Sequence, residues 1–141
     1  MTTQLTESEI KSAQQLLAGN IDAQKALATL EKNDGRLDVS FDELWQENNG
    51  TETFTKGKSL WKVMLGEIRK ELCGNYGFRG KVKEYTNNPG SAPLLTGLIV
   101  SLVGIGGVHG LPIDPAIATI IVLYVVKIGL NTFCEYTEPV A

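Results

Sequence analysis

The stretch PLLTGLIVSLVGIGGVHGLPIDPAIATIIVLYVVKIGL, residues 93–130, decides how this chain folds. It contains one acid, Asp114, and one base, Lys127, and it has a cluster of glycine and proline between residues 106 and 112. Glycine and proline interrupt helices, so the pattern predicts two apolar helices joined by a tight turn. Asp114 and Pro115 are typical of a helix start, as the N-cap and the first helical residue. We therefore predict a helical hairpin over residues 92–134, with helices at about 92–108 and 115–133.

Two environments could surround such a hairpin. The second predicted helix, nineteen residues long, extends about 28 Å, close to the thickness of a bilayer core of about 30 Å. A helix that is apolar on every side must be buried in protein or in lipid, and the rest of the chain offers little apolar surface to cover it. The prediction is a two-helix transmembrane hairpin. An all-α soluble protein with a buried hairpin is the alternative.

The charges along the chain are segregated. Residues 1–57 carry ten acids and five bases, residues 58–86 carry seven bases and three acids, and residues 87–141 carry three acids and one base. Basic residues flanking a membrane segment stay on the cytoplasmic side. With the hairpin in a membrane, this order predicts that both termini are cytoplasmic.

Residues 1–72 have the pattern of an acidic head made of three or four short helices. Thr6 with Glu9, and Ser40 with Glu43, have the spacing of capping boxes, which predicts helix starts at both places. Apolar residues recur at helical spacing after each of them, and also over residues 21–32 and 59–72. Together with the hairpin, this predicts an all-α fold that ends in a short tail, residues 135–141.

Residues 73–91 contain four glycines and a proline, which predicts an irregular neck between head and hairpin. Basic and aromatic side chains alternate in it, as expected of an anchor at the membrane interface. A nucleic-acid site would use the same residue types, but the net charge of −3 for the whole chain argues against that interpretation, since nucleic-acid-binding domains are typically basic. The predicted interface anchors are Tyr76, Phe78, Arg79, Lys81, Lys83 and Tyr85.

Two stripes on the hairpin are candidate functional surfaces. Small residues on one face allow helices to approach closely in lipid, so the stripe Gly97, Ser101, Gly104 and Val108 is a predicted packing surface. Alternatively, this stripe packs only on its partner helix, at Ala116 and Ala118. The second stripe, Tyr124, Lys127 and Asn131, either lines the lumen of an oligomer or anchors the helix by snorkelling of Lys127.

Residues suited to catalysis are scarce. The one histidine, His109, falls in the hairpin turn, and Cys73 and Cys134 are far apart and belong to no CxxC motif. Without an export signal the two thiols are expected to be reduced. We predict no catalytic site, no cofactor and no metal site.

These features predict a small integral membrane protein that is not an enzyme. Its cytoplasmic head would sense or dock an unidentified cytoplasmic protein, and its hairpin would self-associate in the bilayer, as a pore or a membrane-disrupting effector. The alternatives are a passive anchor or adaptor that holds a partner at the membrane, and a soluble all-α interaction protein.

Overall fold

The computed structural model describes residues 4–49 and 60–136, and within them the fold is all-α. An isolated bridge between Gln4 and Arg36 ties the start of the chain to the turn after the second helix. The helices are α1 (Glu7–Leu16), α2 (Ile21–Lys32), α3 (Leu37–Asn49), α4 (Leu60–Cys73), α5 (Tyr76–Asn87), α6 (Ala92–Val108), α7 (Pro115–Ile128) and α8 (Leu130–Tyr136).

The predicted start of α1 is confirmed. The Thr6 hydroxyl accepts a hydrogen bond from the Glu9 amide at 3.1 Å, and the Glu9 carboxylate accepts one from the Thr6 amide at 2.8 Å. This reciprocal pair satisfies two amides that would otherwise lack partners at a helix start. The second predicted helix, over residues 21–32, is also present, and the Asn20 side chain caps it.

The capping box predicted at Ser40 is wrong. Helix α3 begins at Leu37, so Ser40 lies inside it and is fully buried. The Ser40 hydroxyl donates to the Thr29 carbonyl at 3.4 Å and accepts from the Asn33 amide at 3.3 Å. A serine hydroxyl can serve a helix interior as well as a cap when a neighbouring helix supplies its partner, and sequence spacing does not separate the two cases.

The predicted irregular neck is largely helical, because α5 covers residues 76–87. The Asn75 side chain caps this helix by accepting from the Phe78 amide at 2.9 Å. Phe78, Val82 and Tyr85 are buried at helical spacing. Glycine costs a helix interior about 1 kcal/mol, and the burial of three large side chains offsets the two glycines of α5.

The second hairpin helix is shorter than predicted. It ends at Ile128, and Gly129, with φ +86°, separates it from α8. A φ in this range is readily adopted by glycine alone, so the chain changes direction there. No helix in the described ranges is both long enough and apolar enough to span a membrane. The transmembrane placement of the hairpin stays a prediction.

The hairpin and the head share one hydrophobic core. Helix α7 packs against α2, α3, α6 and α8, and α6 lies between α5 and α7. The buried side chains of all these helices form one cluster. The predicted boundaries at residues 72 and 91 therefore mark changes in charge and composition. The segments on either side of each boundary pack into the same core.

Candidate functional site

Helix α7 is buried on every side. All ten residues from position 116 to position 125 are buried. The Asp114 side chain caps the helix by accepting from the Ile117 amide at 2.8 Å, and the Thr119 hydroxyl donates to the Pro115 carbonyl at 2.7 Å. The buried Thr119 hydroxyl thus has a hydrogen-bond partner in the backbone of its own helix and needs none from a neighbouring helix.

The energy that this burial supplies is large. Burying a large aliphatic side chain contributes about 1.5–3 kcal/mol, so the isoleucine, leucine and valine side chains of α7 together contribute of the order of 10 kcal/mol. The net stability of a whole domain is about 5–15 kcal/mol. Helix α7 is therefore the element on which the bundle depends, and exposing the whole of it to water would unfold the protein.

Four aromatic rings link the helices around α7. Trp61 of α4 lies between Phe41 of α3 and Tyr124 of α7, with ring centroids 5.4 and 5.1 Å away, and Tyr124 also contacts Phe133 of α8 at 6.1 Å. All three contacts are edge-to-face, the arrangement that aromatic quadrupoles favour. Each of these rings is buried.

The predicted polar stripe of α7 and α8 does not form one surface. Tyr124 is fully buried among the aromatic rings. The Lys127 ammonium is paired with the Glu9 carboxylate of α1 at 2.6 Å. Asn131 is exposed, and its side-chain oxygen accepts from Arg79 at 3.4 Å. The three side chains therefore have different partners: Tyr124 contacts α4 and α8, Lys127 contacts α1, and Asn131 contacts α5.

The Lys127–Glu9 pair joins the hairpin to the capping box of α1. Burial raises the pKa of Glu9, but hydrogen bonds from Lys127 and from the Thr6 amide and hydroxyl outweigh it and hold the pKa below its ordinary value of 4.5. The Lys127 side chain is 18% exposed and that of Glu9 is 40% exposed. Glu9 is thus ionised at neutral pH and neutralises the one base of the apolar stretch.

The predicted small-residue stripe of α6 points outward. The buried face of α6 is made by Leu95, Leu98, Ile99, Leu102 and Gly106. A Cβ atom placed on Gly97 or Gly104 would meet nothing within 4 Å, and Val108 is 82% exposed. Gly97 and Gly104 therefore do not pack closely on Ala116 or Ala118. We name as the outer face of α6 the side made by the exposed Pro93, Val100, Gly104 and Val108 and the half-buried Gly97 and Ser101.

The glycine that brings the hairpin together is a different one. A Cβ on Gly106 would lie 3.0–3.2 Å from the Ile113 side chain, so a glycine is what allows the turn to pack on the end of α6. His109, also in the turn, lies 2.8 Å from the Glu71 carboxylate at the end of α4. The sequence pattern predicts neither the Gly106–Ile113 contact nor the His109–Glu71 contact, because both depend on how the folded chain brings these residues together.

Of the six predicted interface anchors, three are exposed, two are buried and one links helices. Tyr76, Lys81 and Lys83 are exposed on α5, with Tyr76 at 89%. Phe78 and Tyr85 are buried in the core and are not available to a membrane surface in this fold. The sixth, Arg79, donates to the Cys73 carbonyl and to Asn131, which connects α5 to the ends of α4 and α8.

The two cysteines form a disulfide, contrary to the expectation of reduced thiols. Cys73 at the end of α4 and Cys134 in α8 are joined although 61 positions separate them. The Arg69 side chain donates to the Cys134 carbonyl at 2.8 Å and supports the same junction. The spacing of the two cysteines in the sequence does not predict the pair, because it gives no sign that α8 folds back towards α4.

In residues 4–49 and 60–136, no group of three or more histidine, cysteine, aspartate or glutamate side chains could hold a metal ion. No protein-family model matches the chain, and neither a curated protein nor a solved structure matches it.

Proposed function

We propose that this protein is a non-enzymatic interaction module that self-associates through the outer face of α6. The observation that carries the proposal is the chemistry of this face. Helix α6 has no charged residue in its 17 positions, yet Pro93, Val100, Gly104 and Val108 on one side of it are exposed to solvent. An exposed apolar surface of this extent on a helix is typical of an association site.

The geometry of the face favours a second copy of the same chain. Seventeen residues extend about 25 Å, and the small residues Gly97, Ser101 and Gly104 let another helix approach closely. In a twofold dimer each copy presents the same face, so a face that carries charges of one sign would repel its copy. Helix α6 has no charged residue, so this repulsion is absent.

The test is the mass of the protein in solution as a function of concentration, by analytical ultracentrifugation. Wild type is expected to dimerise, and Val100→Lys, which places a charge in the middle of the outer face, is expected to stay monomeric. Val63→Lys is the matched control, because Val63 is an exposed valine of α4. A monomeric wild type, or equal effects of both substitutions, would contradict the proposal.

A second candidate function is insertion of the hairpin into a lipid bilayer, with both termini on the cytoplasmic side. The observation that favours it is the ten-residue buried run of α7, since a helix apolar all round suits lipid as well as a protein core. Insertion would require the helices around α7 to open. The exposed Lys81 and Lys83 would then face anionic headgroups, and the hairpin would act as an anchor or a pore.

Carbonate extraction of membranes from cells that express the full chain tests this candidate. Retention in the membrane pellet is expected if the hairpin inserts, and release into the supernatant would contradict it. If the protein is retained, ion permeability of Lys127→Leu separates a pore from an anchor, because only a lumen-lining lysine should alter conductance.

A further inference from the structure

Helix α8 is folded back against the bundle. Gly129 ends α7, and Phe133 then contacts Tyr124 with ring centroids 6.1 Å apart. In a continuous helix, residues nine positions apart are separated by about 13 Å along the axis. The chain therefore reverses at Gly129, and α8 returns towards α4 and α5.

Helix α8 is too short to be stable by itself, so its structure depends on its attachment to the bundle. The helix has seven residues, and isolated helices shorter than about 12 residues are marginal in water. Its contacts include the buried Leu130 and Phe133, the Arg69 hydrogen bond to the Cys134 carbonyl, and the Arg79 contact with Asn131. The disulfide is the covalent constraint that keeps α8 beside α4.

The position of α8 determines whether part of the core is covered. The Phe133 ring contacts Tyr124, and Tyr124 in turn contacts Trp61, so departure of α8 would uncover α7 at Tyr124. Both Cys73 and Cys134 are only partly buried, which leaves the disulfide within reach of a reductant.

We propose that the Cys73–Cys134 disulfide is a redox latch, whose reduction releases α8 and uncovers α7 around Tyr124. A thiolate of a dithiol reductant attacks one sulfur and displaces the other cysteine as a thiolate, and its second thiol then displaces the first cysteine. The reductant becomes a cyclic disulfide, and the protein gains two electrons and two protons as two thiols. The latch does not depend on self-association through α6.

Hydrogen exchange followed by mass spectrometry on the full chain tests the latch, with oxidised protein and with protein reduced by dithiothreitol. Reduction is expected to raise exchange in residues 130–136 by at least about tenfold more than in α1 and α2. The double variant Cys73→Ser/Cys134→Ser should match the reduced wild type with or without reductant.

Three results would overturn the proposal. Equal exchange of α8 in both redox states would mean that it stays docked without the disulfide. A uniform increase in all helices would mean that reduction destabilises the whole fold and releases no single element. Two free thiols in the protein purified and kept under air would mean that the disulfide does not form. The wild-type comparison needs no substitution, so it stands even if the serine variant fails to fold.

Discussion

Replacing Gly35 by alanine should be among the most damaging small substitutions in this chain. Gly35 lies after α2 with φ +83°, and its amide donates to the Leu30 carbonyl at 2.7 Å. Its carbonyl accepts from the Leu5 amide at 2.8 Å, so residue 5 runs directly over it. A Cβ on residue 35 would lie well inside van der Waals contact of the Leu5 carbonyl oxygen.

The expected loss has three sources. A left-handed conformation costs alanine about 1–2 kcal/mol, and the lower entropy of the unfolded chain returns about 0.4–1 kcal/mol. Moving Leu5 away breaks a backbone hydrogen bond, which costs about 0.5–1.5 kcal/mol. It also exposes much of a side chain that is now 4% exposed and whose burial contributes about 1.5–3 kcal/mol. We expect Gly35→Ala to lower the free energy of unfolding by about 3–5 kcal/mol.

Gly90→Ala is the matched control, because Gly90 also has positive φ, +93°, but a Cβ there meets nothing within 4 Å. It should cost about 1 kcal/mol, the backbone contribution alone. Urea unfolding followed by circular dichroism measures both variants. If the two losses agree within about 0.5 kcal/mol, the reasoning is refuted, and the N-terminal segment does not pack over Gly35.

Three further predictions concern the hairpin and its attachments. Asp114→Ala should lower the free energy of unfolding in urea by about 1 kcal/mol, whereas Asp114→Asn, which keeps the cap, should change it by only a few tenths. Because the pKa of Glu9 is lowered in the folded state, its pairing with Lys127 stabilises the fold above about pH 4.5 and is lost as the pH falls through the folded-state pKa. Urea midpoints of Lys127→Met should therefore depend less on pH between about 3 and 6 than those of wild type, and equal dependence would argue against the pair. Closing a loop with a sequence separation of 61 predicts that the Cys73–Cys134 disulfide contributes about 4 kcal/mol, measured as the difference in unfolding free energy between oxidised and reduced protein.

The features that sequence predicted correctly are local ones. Thr6 with Glu9 and Asp114 with Pro115 mark the starts of α1 and α7, because a cap and the amides that it satisfies lie within three residues of each other. The all-α class follows from apolar spacing over single helices. The two mistakes concern residue types that also suit caps and loops. Ser40 lies inside α3 because the neighbouring α2 supplies its hydrogen-bond partner, and the glycine-containing neck is helical because α5 buries large side chains in the core.

The sequence by itself determined that residues 93–130 form two apolar helices joined by a turn, and that the second of them, apolar all round, must be kept from water. Apolar side chains do not determine what excludes the water, because lipid tails and protein side chains are equally apolar. Only the tertiary structure decided that α2, α3, α6 and α8 surround α7, that the small residues of α6 point outward, and that Gly129 turns α8 back to bring Cys134 to Cys73. These outcomes depend on contacts between residues far apart in the chain, whereas helix periods and caps are set by residues within one or two turns.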